Sequence, residues 1–137
     1  MRPARAATSL PNEETIDTIA YIARRYIEGV LMIARAWHGR TKPEHADAYE
    51  SHLKPELLPG LSLQTGFRGS YLLRRAVGNE VEFITIILFD SLDNVRALAG
   101  ENYEHAVIPE DRLPLLTRYD ARAAHYEVVS MRAPAAR

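Results

Sequence analysis

Residues 81–89 read VEFITIILF, and this stretch decides the fold. Its β-branched and aromatic residues are typical of a strand, in which successive side chains point to opposite faces. The odd-numbered residues therefore share one face, on which Thr85 is the only polar residue. The even-numbered residues share the other face, on which Glu82 is the only polar residue. Because the middle of the strand is apolar on both sides, both faces need a cover that excludes water.

The segments on either side of this strand predict a small antiparallel sheet. The expected elements, in chain order, are a strand at 31–38, a helix at 42–57, a strand at 67–77, a hairpin turn at 78–80, the strand at 81–89, a helix at 90–100, irregular structure at 101–120 and a strand at 121–131. Thr41 and Glu44 have the spacing of a capping box at the start of the first helix. Gly100 is a natural end for the second helix.

The order strand, helix, strand, strand, helix, strand predicts an α+β domain with the ferredoxin-like, split βαβ topology. Such a domain has a four-stranded antiparallel sheet with both helices on one face. The helices cover only that face, so the second apolar face needs another cover. A second copy of the same sheet would supply it, and we therefore expect a homodimer. The alternative is that a helix near the N-terminus covers this face within one chain.

Residues 13–28 predict that extra amphipathic helix, which follows an arm rich in Ala, Arg and Pro. Its apolar residues recur at spacings of three and four, and Asn12 is placed to cap its start. We therefore divide the chain into an N-terminal arm and helix at 1–30, a ferredoxin-like domain at 31–131 and a tail at 132–137.

Composition excludes several classes of protein. The chain of 137 residues has no cysteine, so disulfides, thiol nucleophiles and thiolate metal sites are excluded. Seventeen basic residues balance eighteen acidic ones, which argues against nucleic acid or an anionic membrane as the main partner. No apolar run has the length of a membrane span, and no signal-peptide core follows the basic N-terminus. We expect a cytoplasmic protein.

Five sequence blocks resemble the antibiotic biosynthesis monooxygenase (ABM) domain proteins of the dimeric α+β barrel superfamily. The blocks are MIARAWHGR at 32–40, GFRGSYLLRR at 66–75, VEFITIILFDSLDNVRALAGENYEHAV at 81–107, PED at 109–111 and HYEVV at 125–129. The resemblance implies a two-fold dimer whose sheets face each other as a barrel. It also implies one pocket per subunit, between the sheet and its helices. Some relatives oxidise polycyclic phenols with dioxygen and no cofactor, others bind and degrade haem, and others have no known activity.

Trp37 and His38 are the first candidate site residues, and as strand neighbours they point to opposite faces. His38 shares its face with Ala34 and Ala36, whose small side chains leave room for a cavity. Because the pKa of histidine lies near neutrality, His38 is the candidate catalytic base for a phenolic proton. The alternative for His38 is a hydrogen bond to loop backbone. Trp37 either lines the pocket and contacts the substrate, or packs in the core or at the dimer contact.

The other candidates are aromatic residues and histidines. Tyr71 lies near Gly69, where a flat ligand could approach the sheet. Tyr103 and His105 follow the second predicted helix, and the resemblance to haem-degrading relatives makes His105 a candidate axial ligand. Those relatives carry an Asn on the first strand and a Trp on the third, and this chain has neither.

Three further histidines have less specific patterns. His125 and Glu127 share a strand face, so they either pair as a base and its orienting carboxylate or form an interface hydrogen bond. His45 and His52 lie seven apart on a predicted helix, or about 10 Å along its axis, which is too far for one metal ion. We expect no metal site.

These patterns leave three functional hypotheses. The first is a cofactor-independent monooxygenase for a small aromatic or quinonoid substrate, with His38 as base and with Trp37, Tyr71, Tyr103 and His105 at the ligand. The second is a non-catalytic small-molecule binder or stress-related dimer with the same pocket. The third is a haem-binding or haem-degrading protein that uses His105.

Overall fold

The computed structural model describes residues 12–27, 32–55 and 63–132. The chain separates into two compact units, residues 1–31 and 32–137. The elements are α1 (Glu13–Ile27), β1 (Ile33–Thr41), a 3-10 turn (Pro43–His45), α2 (Ala46–Pro55), β2 (Phe67–Val77), β3 (Glu80–Phe89), α3 (Leu92–Ala99), a second 3-10 turn (Leu113–Leu115), β4 (Leu116–Tyr119) and β5 (Ala124–Glu127).

The sheet has the order β2-β3-β1-β4, and β5 also pairs with β1. Every pairing is antiparallel, and the ferredoxin-like α+β fold is confirmed. The sheet has five strands rather than four because β4 forms within residues 101–120, which were predicted to be irregular, while β5 lies within the predicted last strand at 121–131. Residues 120–123 leave the edge of β1 between β4 and β5, and Asp120 is held there by a hydrogen bond from its N–H to the carbonyl oxygen of His38.

Helix α2 begins differently from the prediction. Thr41 is the buried last residue of β1, and its hydroxyl donates to the carbonyl oxygen of Lys42. The predicted capping box is therefore wrong, and a 3-10 turn that starts at Pro43 leads into the helix instead. The proline fits there because the first turn of a helix needs no N–H donor. The predicted end of this helix, 56–57, lies outside the described residues.

The core lies between α2 and one face of the sheet. Ala46, Tyr49 and Leu53 recur at helical spacing and are buried against Val81 and Phe83 of β3. The Tyr49 and Phe83 rings meet edge to face with centroids 4.9 Å apart, an arrangement that aromatic pairs favour. This packing fixes α2 over the sheet.

Helix α3 lies within the predicted 90–100 and ends at Gly100, as predicted. The hydroxyl of Ser91 accepts a hydrogen bond from the Asn94 N–H, and Gly100 follows the last turn with φ of +85°. The buried Val95 anchors the helix. Helix α3 therefore begins and ends where its capping residues require.

Helix α1 belongs to the first of the two compact units. Asn12 accepts a hydrogen bond from the N–H of Thr15 at 2.7 Å, as the N-cap prediction requires. The side chains of Ile16, Ile19 and Ile22 are exposed. The predicted exit of this helix, residues 28–30, lies outside the described residues.

The register between β1 and β3 assigns every side chain to a face. Trp37 lies opposite Thr85, and His38 lies opposite Ile84. We call the side that carries Trp37 the cavity face, since α2 packs on it, and the opposite side the outer face. The outer face carries Ala34, Ala36, His38, Tyr71, Leu73, Ile84, Ile86 and Tyr126.

Candidate functional site

A cavity of about 440 Å³ lies on the cavity face of the sheet. Strands β1 and β3 form its floor, helices α2 and α3 form its walls, and the segment from 106 to 112 closes one side. The described lining residues are Arg35, Trp37, Tyr49, Leu53, Gln64, Thr85, Ile87, Leu98, Ala99, Ala106, Val107, Ile108, Pro109 and Arg112. Most are apolar or aromatic, and the volume is within the range of small-molecule sites.

Arg35 is the charged residue on the floor of the cavity. Its guanidinium donates to the carbonyl oxygens of Tyr103 and His105. Its Nη1 atom also lies 2.9 Å from Nε2 of His125. Burial lowers the pKa of Arg35, because a partly dehydrated cation is less stable than a hydrated one. Within the described residues, no carboxylate forms an ion pair with this guanidinium, so its polar partners are all uncharged.

Arg112 places a second guanidinium at the cavity wall. The residue is buried, and its Nη2 donates to the carbonyl oxygen of His52 in the last turn of α2 at 3.4 Å. This bond fixes the segment that follows α3 against α2. The cavity is therefore apolar for most of its surface and has a cation at two places.

His125 on β5 connects Arg35 to the segment after α3. Burial lowers the pKa of His125, the positive charge of Arg35 lowers it further, and Glu104 opposes both effects. The ring is therefore neutral at neutral pH, and its Nε2 accepts the Arg35 N–H. The Tyr103 ring meets the imidazole edge to face at 5.0 Å, while the guanidinium of Arg96 lies 5.4 Å from the centre of the Tyr103 ring. These contacts hold Arg35 in one position.

The site residues predicted from the sequence lie in different places in the structure. Trp37 lines the cavity, and its indole N–H donates to the carbonyl oxygen of Asp120 at 2.7 Å. Tyr103 and His105 reach the cavity only through the carbonyl oxygens that accept from Arg35. Arg35 was not among the predicted residues, although an arginine on the inward side of an apolar strand was a signal for it.

His38 and Tyr71 lie on the outer face, so neither lines the cavity between the sheet and its helices. Because β1 alternates and Trp37 points into the cavity, His38 must point the other way. Its Nδ1 lies 3.1 Å from a carboxylate oxygen of Asp120, and Tyr71 is exposed opposite Ile86. A catalytic role for His38 stays a prediction, and the cavity offers no ligand position beside it.

The residues at the cavity do not fit an axially ligated haem. The side chain of His105 is exposed and does not line the cavity, whereas its neighbour Ala106 does. The Nε2 atom of His125 is engaged by Arg35. Across the three described ranges, no group of three His, Asp or Glu side chains could hold a metal ion. In those same ranges, no helix is long and apolar enough to cross a bilayer.

Solved structures share this fold. A Bacillus cereus protein, assigned provisionally to the antibiotic biosynthesis monooxygenases, matches 77% of this chain and 99% of its own at 16% identity, with a TM-score of 0.53. The heme-degrader MhuD from Mycobacterium tuberculosis matches 74% of this chain and 99% of its own at 18% identity, with a TM-score of 0.49. A Chloroflexus aurantiacus protein with the same provisional assignment matches 76% and 97% at 16% identity, with a TM-score of 0.45.

No family model matches the chain, and no curated protein matches it. Of the three structures, the Bacillus cereus protein is similar enough to carry an argument, and at 16% identity the argument concerns the fold alone. The fold and the cavity define a ferredoxin-like α+β protein with space for a small ligand. The fold is that of ABM domain proteins, as the sequence resemblance implied.

Proposed function

We propose that the protein binds a small aromatic or quinonoid molecule in the cavity and oxygenates it with dioxygen and no cofactor. The cavity of about 440 Å³ carries this proposal, because its walls combine apolar side chains with the rings of Trp37 and Tyr49. A flat hydrophobic molecule gains most from such walls, since burial of its apolar surface is favourable.

The chemistry needs a substrate that loses a proton to become an electron-rich anion. A methylene carbon flanked by aromatic rings suits this, because its C–H proton is acidic and its anion is delocalised. The anion transfers electrons to dioxygen, one oxygen atom forms the new C=O bond, and the other leaves as water with the two hydrogens. Arg35 would stabilise the anion, since a preorganised cation beside apolar walls favours developing negative charge.

A cavity-filling variant tests the proposal. Ala99 lines the cavity and Ala97 is exposed on the same helix, so Ala99→Trp and Ala97→Trp form a matched pair. We expect Ala99→Trp to abolish both the ligand-dependent rise in melting temperature and oxygen uptake with anthrone, whereas Ala97→Trp retains both. Binding without oxygen uptake in the wild type would support the non-catalytic alternative and overturn the oxygenase. Unchanged activity in Ala99→Trp would place the site elsewhere.

We also propose that the protein is a homodimer that pairs through the outer face. The apolar side chains of Tyr71, Leu73 and Tyr126 are exposed there in the single chain, next to Ile84 and Ile86. A continuous apolar face of this kind is typical of an interface, and a two-fold axis lets the same face cover itself.

A further inference from the structure

We infer that the ligand of the cavity is a hydrophobic anion whose ionised oxygen binds the guanidinium of Arg35. This inference rests on the proposed binding of a small molecule in the cavity. It adds a chemical class, because the apolar walls alone would accept an uncharged molecule equally well.

The charged residues that the structure describes at the cavity are both arginines. Arg35 and Arg112 line it, and none of the described lining residues is acidic. A partly buried cation is costly unless an anion or good hydrogen bonds compensate for the lost water. The compensation that Arg35 receives comes from two carbonyl oxygens and a neutral imidazole, which are dipoles and not charges. An oxyanion in the cavity would supply the missing charge.

The position of Arg35 suits recognition rather than packing. The guanidinium presents a planar fork of N–H donors, and part of that fork is held by Tyr103, His105 and His125. A group held on one side in this way loses little conformational entropy when it binds a ligand on the other. Charge-assisted hydrogen bonds of guanidinium to oxyanions are roughly twice as strong as neutral ones.

Most of the remaining wall is apolar, and the second guanidinium, that of Arg112, already donates to the carbonyl oxygen of His52. Trp37, Ile87 and Leu98 offer no hydrogen bonds to a second anionic centre within the cavity. A polyphosphate would leave charges against these apolar side chains, which is unfavourable. The chemistry that fits is therefore an aromatic ring system with a single ionised oxygen group, either a carboxylate or a phenolate.

Trp37 makes the inference directly measurable, because it is the only tryptophan in the chain and it lines the cavity. Its fluorescence is titrated with 2-naphthoate and with the uncharged isostere 2-naphthamide. A second pair, 4-nitrophenolate and 4-nitroanisole, separates phenolates from carboxylates. We expect the wild-type protein to bind the anion of at least one pair about tenfold more tightly than its uncharged partner, the size of one charge-assisted contact.

Three arginine variants test whether the preference for the anion depends on Arg35. Arg35→Gln should remove the preference for the anion while binding of the uncharged probe stays within about twofold, since the charged contact alone is lost. Arg118→Gln makes the same charge change at an exposed residue paired with Glu80, and it should retain the preference. Arg35→Lys should keep part of the preference, because it retains the charge and loses the fork.

The outcomes distinguish failure of this inference from failure of the proposed binding of a small molecule in the cavity. Equal wild-type affinity for the anions and their uncharged partners would overturn the anion class and leave the cavity as a binding site. No change in Trp37 fluorescence with any probe would overturn both. The wild-type comparison does not depend on a variant, so the inference stays falsifiable if Arg35→Gln fails to fold.

Discussion

The imidazole of His125 is kept uncharged by its surroundings. Burial and the positive charge of Arg35 lower its pKa from the ordinary value of 6.5. In the unfolded chain the same ring has neither constraint. The folded and unfolded forms therefore bind different numbers of protons just below pH 6.5, and stability depends on pH in that window.

We expect the free energy of unfolding to fall as the pH drops below 6.5, because the unfolded chain takes up a proton at His125 that the folded chain does not. His125→Gln keeps an acceptor for Arg35 and removes the titration, so the dependence of the free energy of unfolding on pH just below 6.5 should become shallower. Urea unfolding at a series of pH values measures how the free energy of unfolding depends on pH. Parallel curves for wild type and variant would contradict the prediction.

Three glutamate carboxylates affect stability in a different pH range. Arginine, lysine or threonine hydrogen bonds lower the pKa values of Glu50, Glu80 and Glu82 from 4.5. Their contribution is present above that value and is lost as the pH falls below it. The effect of His125 can therefore be read at higher pH, before these carboxylates are protonated.

Gly39 leaves the space that the Trp37 ring occupies beside it. A Cβ atom at this position would meet Cη2 of Trp37 at 2.9 Å and Cδ2 of Leu116 at 3.0 Å. We expect Gly39→Ala to reduce the free energy of unfolding by about 1–3 kcal/mol, as overpacking does, and to change Trp37 emission. Leu116→Ala in the same chain should relieve part of this cost, so urea unfolding should show that the double variant loses less than the sum. Simple additivity would contradict the steric explanation.

The sequence predicted that Trp37 and His38 point to opposite faces, and the register confirms it. Alternation does not say which face of a strand the helices cover. The indole has more apolar surface to bury than the imidazole, so Trp37 takes the cavity face and His38 remains beside Asp120. The importance of Arg35 could not be predicted from its neighbours, because its partners are some 70 to 90 residues away.

At the scale of elements, α3 has its N-cap at one end and lines the cavity with its other end. Its first turn is held by Ser91, and its last turn supplies Leu98 and Ala99 to the cavity wall. Loss of the cap would fray the helix from the end opposite the cavity. The effect of the cap on stability is therefore separable from direct contact with a ligand.

We expect Ser91→Ala to lower the free energy of unfolding by about 1 kcal/mol, the usual cost of removing a serine N-cap. Ser91→Asp is the matched control, since aspartate also caps and its charge suits the positive end of the helix dipole. Both are measured by urea unfolding at neutral pH. A Ser91→Asp variant as unstable as Ser91→Ala would show that the hydroxyl acts in another way.

Long periodic elements were predicted more closely than short ones: β4 lies in a segment predicted to be irregular, and β5 is only part of the strand predicted at 121–131. Strand β2 spans the predicted 67–77, and β3 begins one residue early at Glu80. Strands β4 and β5 have four residues each, too few for alternation to be visible. They form because β1 offers a free edge, and that is a property of the assembled sheet. The cavity depends in the same way on small residues from distant segments, such as Ala99 and Ala106.

At the scale of the whole molecule, the outer face is the main uncovered apolar surface of the sheet. Tyr71 is 57% exposed, Leu73 is 45% exposed and Tyr126 is 58% exposed in the single chain. The opposite face is covered by α2 and α3, which explains why the side of β3 that faces these helices is apolar. The proposed dimer would remove this exposed surface from water.

We expect Leu73→Asp to convert the dimer into a monomer, because the carboxylate would be buried without a partner at the interface. Leu73 is already partly exposed in the single chain, so the monomer should stay folded. Sedimentation equilibrium measures the mass, and circular dichroism checks the fold. Leu63→Asp is the control, since this residue is 87% exposed and does not belong to the outer face. A wild-type monomer at high concentration would refute the proposed dimer.

Deletion of residues 1–30 tests which part of the chain carries dimerisation. Residues 32–137 form a compact unit that contains the whole sheet, the cavity and the outer face, so the shortened chain should fold. Helix α1 has exposed isoleucines that could add apolar contact area, and its loss should weaken dimerisation. The sheet face should still hold two copies together, so sedimentation should show a dimer with a higher dissociation constant. A strictly monomeric, folded product would mean that α1, and not the outer face, provides the interface.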